Sequence, residues 1–360
     1  MADPQAARDV LANRSGDFRE TSDFFHTRRG VFGPRSAQVE TGRAARALLR
    51  AHLDARRGDI PGLVDGMLAP ASAWPDAGNL LIRELLRDAL LHPGTAPELT
   101  VLLDAVVDRA VLAGARQRHS PLSRAVFRRR TMRVLAREIR RRRLADTEAG
   151  AGAGVAGSAP RDLLDVTIRS GGPAAQPAEL AEVYLSFLFA TVGSIGFVLG
   201  WCVYLVGTHP GTEGTAAGFT VREAMRLWPV AWMFARTPVR EHELRGVSVA
   251  PGDEVDVCSY LVHRHPDHWE RPDEFVPERW AVPRHDPAFI PFGHGVHTCA
   301  GATVTVSLLE DLVRAIAQDR TLSVFPSGEA PLPGPALAPP RFTVELGGGP
   351  GSDSDPVGRG

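Results

Sequence analysis

Between Val183 and Gly207 the chain reads "VYLSFLFATVGSIGFVLGWCVYLVG", a run without a single charged residue. About 20 apolar residues are enough to cross a bilayer. The middle of this run carries the hydroxyls of Thr191 and Ser194 and the glycines Gly193 and Gly196. Small and polar groups at that depth point to a helix leaning on protein instead of lipid. Toward the N-terminus, apolar residues recur at helical spacing in "PQAARDVLANR" and "TGRAARALLRAHL", on either side of an irregular aromatic stretch, "SDFFHTRRGVFGP". Helical spacing resumes from Gly78 to Arg143, breaks at "HPGTAP" and "RQRHSP", and ends in the arginine run "FRRRTMRVLAREIRRRR". Next come a low-complexity stretch, "AGAGAGVAGSAP", that reads as a flexible loop, and a short helix in "PRDLLDVTIRS".

Beyond Gly207 the period changes. "HELRGVSVAPGDEVDVCSYLVH" alternates as strands do, about a Pro-Gly turn. A Pro-rich region follows, then a helix after Cys299, then a short strand in "RFTVEL". The pattern predicts a mainly α protein with a minor β part in its C-terminal half. It predicts one domain over residues 1–346 and a disordered tail over 347–360.

Composition narrows the function classes. The 360 residues are 44% apolar with a net charge of −1, so no global field favours nucleic acid. All 41 basic residues are arginines, and the arginine run reads either as a solvated helix face or as a grip for an acidic partner. Cys202, Cys258 and Cys299 lie far apart in sequence, which implies neither a disulfide framework nor a zinc knuckle. The polar start "MADPQAARDVLANRSGDF" lacks the pattern of a signal peptide, so the expected location is cytoplasmic, with no membrane span.

The chemistry concentrates in "FIPFGHGVHTCAGATVTVSLLEDLVRAI". Cys299 stands between a glycine-rich loop and a helix that begins just after it, where helix dipole and free N–H groups favour a thiolate. Gly293, Gly295 and Gly301 let backbone lie close to a large flat group, an arrangement suited to a thiolate that ligates heme iron from one side. Phe292, Gly295, His297, Cys299 and Gly301 meet the pattern Phe-x-x-Gly-x-[Arg/His]-x-Cys-x-Gly, and here the chain resembles the cytochrome P450 superfamily. "REAMRLWP" and "FVPERW" extend the resemblance, in order, from Arg222 to Leu309.

The resemblance implies the cytochrome P450 fold, with one long central helix over a heme b whose axial thiolate is Cys299. Phe292 would pack beside the sulfur, and His297, Arg236 and Arg46 would lie near the heme propionates. Glu223 and Arg226, one helical turn apart, would join Arg279 in a buried network. The His263, His265 and His268 cluster coincides with the family's His-Arg-x-x-Pro turn and is not expected to bind metal. "ATVGSIG" would fall on the oxygen-binding bend of the central helix, where the family usually places an acid followed by a threonine. This chain has Gly193 and Ser194 there. Ser194, with Thr191, would then deliver protons without a carboxylate; alternatively, the Ser194 hydroxyl bonds back to its own helix.

Two further departures accompany the resemblance. The chain starts at a helix that the family reaches only after another helix and two strands, and only "GTEGTAAGFTV" separates the central helix from "REAMR". The implied function is a heme-thiolate monooxygenase of bacterial secondary metabolism. It would insert one atom of O2 into an apolar small organic substrate, with electrons from a ferredoxin or similar redox partner docked on the arginine-bearing helix near Arg43 to Arg57. A P450-like auxiliary protein without oxygenase activity and a peroxide-driven heme enzyme are the alternatives. The pocket-lining residues are expected near Phe24 to Phe32 and Val101 to Arg133.

Overall fold

The uncharged run forms most of a 32-residue helix, Pro177–Thr208, in a computed structural model. The structure describes residues 1–19, 23–112, 119–150, 159–212, 214–282, 286–318, 320–331 and 334–347. The helix starts at Pro177, where the Glu179 carboxylate accepts the Gln176 N–H at 3.0 Å. It is regular through Leu188, opens into a π-helical turn over Phe189–Ile195, and resumes over Gly196–Thr208. By length and composition the helix passes for a membrane span, yet 72% of its most apolar window is buried inside the protein.

What buries it comes from both ends of the chain. The helix Asp76–Leu85 crosses so closely at Gly196 that a Cβ there would strike Asn79. A Cβ at Gly200 would meet Pro339 at 3.0 Å, and one at Gly207 would collide with Val324. The helices Ala217–Leu227 and Ala302–Ala317 pack on it as well. Trp201 stacks on Trp228, centroids 4.2 Å apart, and donates from Nε1 to the Leu337 carbonyl at 2.8 Å. A helix enclosed in this way needs no polar face.

The β part is small and dispersed. Phe342–Leu346 is the middle strand of an antiparallel three-stranded sheet, between Ala71–Trp74 and Leu322–Pro326. Its residues alternate, with Phe342, Val344 and Leu346 buried, as a strand with one core face must. His242–Leu244 and Val247–Val249 form a hairpin that turns at Arg245 and Gly246, both with positive φ (51° and 80°). The turn therefore precedes the expected Pro-Gly pair. Pro251 and Gly252 instead lead the chain out of the hairpin to Val255–Cys258, which pairs with Met233–Arg236. The low-complexity residues 151–158 and the tail 348–360 lie outside the described residues.

The arginine run becomes the helix Pro121–Gly150, and it is not solvated throughout. Arg142 is buried and donates to Glu138 (2.8 Å), Asp162 (2.7 and 2.8 Å), Asp165 (2.6 Å) and Thr95 (2.9 Å). Burial alone would raise the Asp165 carboxyl, but the hydrogen bonds and charges of Arg161 and Arg142 hold it at about 2. Asp162 also accepts the His92 N–H at 2.8 Å and caps the next helix, Leu163–Gly171, through the Asp165 N–H at 2.8 Å. The network therefore ties two helices and the loop of His92 and Thr95 together around one guanidinium.

Removing that guanidinium leaves buried carboxylates without a partner. Arg142→Ala is expected to cost about 3–5 kcal/mol of stability. Arg140→Ala, on the exposed face of the same helix, should stay within about 0.5 kcal/mol. Urea unfolding of the two variants beside the parent measures the difference.

Candidate functional site

Ile290 to Gly301 forms a loop that its own backbone holds shut. The Cys299 N–H donates to the Phe292 carbonyl at 3.0 Å, Gly293 N–H to Ile290 at 3.0 Å, and Thr298 Oγ1 to Gly295 at 2.8 Å. Gly293 and Gly295 sit at φ 72° and 75°, where a side chain is strained. Gly295 also faces the first helix, Pro4–Ala12: a Cβ there would lie 2.6 Å from Ala12 Cα. Its missing side chain thus admits that helix. Gly293 lies against the Phe234 ring, and Gly301 is in ordinary contact with the Cys299 sulfur, at 3.7 and 3.8 Å from their would-be Cβ atoms. Phe292 is half-buried against the main core.

Cys299 itself is exposed, three residues ahead of the helix Ala302–Ala317. The protein packed behind the sulfur raises its pKa, and the N–H groups of Gly301 and Ala302 oppose that rise. Cations surround the loop. Arg46, on the helix Arg35–Arg56, donates to the Ala300 carbonyl at 3.3 Å, and Arg35, at the start of that helix, lies 3.3 Å from His297 Nδ1. Arg236 follows Phe234 by two residues on the strand Met233–Arg236 and donates to the Ala235 carbonyl at 2.8 Å. A cysteine exposed on a hydrogen-bonded loop, with the guanidiniums of Arg46 and Arg35 against that loop, fits a flat metal-bearing cofactor with carboxylate arms. Arg35 carried no sequence signal; only the fold brings it to the loop.

The central helix has one opening. Between Leu180 and Thr208 only Phe189 and Ala190 are exposed, and Ser194 beside them is half-buried. The opening therefore coincides with the π-helical turn. Thr191 is buried and donates its hydroxyl proton to the Phe187 carbonyl at 2.7 Å. The back-bond considered for Ser194 is thus made by Thr191, while Ser194 has no hydrogen bond among the described residues. Asn79, which sequence reasoning missed, reaches in from Asp76–Leu85 and donates from Nδ2 to the carbonyls of Val192 (2.7 Å) and Gly193 (3.0 Å). Its Oδ1 is buried without a partner among the described residues. The signal available was an amide on a helix face otherwise made of Gly78, Leu81, Ile82 and Leu85.

Glu223, Arg226 and Arg279 meet as a network. The fully buried Glu223 carboxylate accepts from Arg226 Nε (2.9 Å) and Nη2 (2.8 Å), Arg279 Nε (3.0 Å), Trp280 Nε1 (2.9 Å) and the Val276 N–H (3.1 Å). Arg226 then holds the carbonyls of His263 (3.1 Å), Pro272 (2.6 Å) and Glu274 (3.0 Å). His263 extends this network to the cysteine loop. Its Nδ1 lies 3.1 Å from the Arg226 carbonyl, and its Nε2 accepts the Ile290 N–H at 2.9 Å. One nitrogen must donate while the other accepts, so the ring is neutral and its tautomer set. Among the described residues no His, Cys, Asp and Glu group could hold a metal ion.

The family described as "Cytochrome P450" matches residues 219–310. Cyclooctatin synthase of Streptomyces melanosporofaciens is 27% identical over 197 residues, which are 47% of this chain and 41% of that protein. The chain thus aligns with about two-fifths of the length of the first curated relatives. The structure of P450 OxyD, involved in the biosynthesis of vancomycin-type antibiotics, superposes with a TM-score of 0.74 at 18% identity over 96% of this chain and 88% of that one. A zebra fish cytochrome P450 solved with progesterone gives 0.73 at 19% identity, over 97% and 93%.

His263 makes a pH prediction. Burial, the largest influence, pushes its pKa down to about 3, whereas in an unfolded chain it titrates near 6.5. The unfolded state therefore binds the extra proton between those values. Stability should fall by about 1.4 kcal/mol per pH unit as pH drops below 6, and not at all from this group above pH 7. In His263→Gln, which keeps a donor and an acceptor but cannot titrate, that slope should vanish between pH 6 and 5. Urea unfolding at pH 7, 6 and 5 tests it; an unchanged slope would assign the effect elsewhere.

Proposed function

The chain belongs to the cytochrome P450 superfamily, and on that premise we propose that it is a heme-thiolate monooxygenase acting on a small apolar organic substrate. The observation that carries the reading is the exposed Cys299 on its hydrogen-bonded loop, with Arg46 and Arg35 in contact with that loop. Held by Cys299, heme b would supply the activation of dioxygen, which a thiolate ligand favours.

The remaining chemistry belongs to the protein. Arg35, Arg236 and His297 bind the carboxylate arms of the cofactor. Phe189 and Ala190 offer an apolar wall at the one opening of the central helix, suited to an apolar substrate. Ser194 holds a proton or a water there, because Thr191 has committed its own proton to Phe187. Asn79 fixes the turn that presents Ser194, through the carbonyls of Val192 and Gly193. Electrons come from a separate redox partner of the ferredoxin type. On the helix first considered for its docking, Arg43 pairs with Glu40, Arg56 with Asp59 and Arg57 with Asp311. Those pairs leave Arg46 and Arg50 without a carboxylate partner among the described residues of the stretch from Arg43 to Arg57, a modest electrostatic attraction.

One observation favours a second reading, peroxide-driven oxygenation. The bend carries Gly193 where a proton-relaying acid would stand, and a peroxide oxidant brings its own protons. Product formed with hydrogen peroxide alone, at a rate exceeding that with a ferredoxin and NADPH, would favour it.

The reduced, carbon-monoxide-bound absorption spectrum tests the main reading. The wild-type protein should show a strongly red-shifted Soret band, and Cys299→Ser should lose it. A wild-type protein that takes up no heme would overturn the proposal. In Ser194→Ala, product formed per NADPH consumed should fall by about tenfold or more, given the usual weight of a positioned proton donor. An unchanged ratio would place proton delivery elsewhere.

A further inference from the structure

The helix Pro121–Gly150 presents its outer side as a straight line of like charges. At about 100° per residue, Leu122, Val126, Arg129, Arg133, Arg137, Arg140 and Leu144 fall within an arc of about 80° and span about 33 Å. All seven are exposed, Leu122 by 75%, Val126 by 62% and Leu144 by 64%. The other arginines on this helix include several that work for the fold: Arg128 pairs with Glu182, Arg141 with Glu138, Arg142 is buried, and Arg143 holds the carbonyls of Gly172 and Ala175. Arg129, Arg133, Arg137 and Arg140 have no acidic partner among the described residues.

Cations stacked three and four apart destabilise an isolated helix. The whole protein carries a net charge of only −1, so this line is a local concentration against a neutral background. Its main packing partner is the N-terminal half of the central helix, so it lies apart from the Cys299 loop.

We propose that this line is a docking surface for a partner protein, which lays an acidic amphipathic helix along it. The inference stands independently of the oxygenase reading. Carboxylates at matching three- and four-residue spacing would meet the four guanidiniums, each able to take a bidentate contact. Apolar residues at the two ends of the partner helix would cover Leu122, Val126 and Leu144. The cations form one narrow line, about 33 Å long from Leu122 to Leu144 and flanked by the exposed Leu122, Val126 and Leu144 at its two ends. A single helix matches that shape, whereas a flat anionic bilayer offers no counterpart to its narrow width.

The test uses the full chain and a synthetic, fluorescently labelled helical peptide with leucines at both ends and glutamates spaced four, four and three residues apart. A scrambled peptide of equal composition is the control. Anisotropy should show the matched peptide binding at least about tenfold tighter than the scrambled one, and weakening as salt rises. Exchanging Arg129, Arg133 and Arg137 for Glu should cost about thirtyfold or more, while exchanging Arg14, Arg29 and Arg222 for Glu should cost less than about threefold. Circular dichroism confirms that both triple variants fold. Equal binding of the two peptides, or equal loss in the two triple variants, would overturn the proposal. So would tighter binding to vesicles of phosphatidylglycerol and phosphatidylcholine than to the matched peptide.

Discussion

Glu223 has no water to share its charge with, so every hydrogen bond it needs must come from the protein. It takes them from Arg226 one turn along its own helix, from Arg279 and Trp280, and from the Val276 backbone. Two segments more than fifty residues apart in sequence are thereby obliged to meet at one carboxylate. Replacing part of such a cluster leaves a buried charge unmatched, which costs several kcal/mol, so the arrangement holds as a unit. Through Arg226 and His263 its order reaches Ile290, the first residue of the loop that presents Cys299. The sulfur is held in place by a network that never touches it.

The opposite side of the site depends on a different economy. Beyond Glu182 the central helix carries no charged side chain, and it uses glycines to let neighbours approach: Gly196 toward Asn79, Gly200 toward Pro339, Gly207 toward Val324. The one place where it relaxes is the π-helical turn, and there the amide of Asn79 satisfies carbonyls that the wider turn presents. π-turns inside α-helices frequently mark functional sites. Here the irregularity and the only exposed residues in the body of the helix fall together.

Much of this was legible in order along the chain, because the cysteine loop, the Glu-x-x-Arg turn and the "PERW" segment are each defined by residue type at fixed spacing. The uncharged run was legible as a buried helix because Thr191, Ser194 and two glycines interrupt it with small and polar groups that suit a close protein neighbour better than lipid. The contributions of Asn79 and Arg35 were not, since both act across the fold on partners more than a hundred residues away and neither sits in a patterned stretch. Arg142 was hidden for another reason: in a run of arginines, nothing local distinguishes the one that three later or nearby carboxylates will surround. The hairpin was read with its turn too late, because Pro-Gly is a strong turn signal and Arg-Gly a weak one. The backbone chose the pair that could take positive φ at both positions and so match the twist of the strands.

The enclosure of the central helix also sets a timetable for synthesis. Trp201 finds its hydrogen-bond acceptor 136 residues later in the chain, and the strands that cover Gly207 and pair with Phe342 come near the end of the described residues. At ribosomal speed that interval is on the order of ten seconds. For that time the most water-averse segment of the polypeptide has left the tunnel with half of its covering not yet made. Whatever shelters it in the interval, a holding chaperone or a provisional fold of the first half, has to release it once the last strand arrives.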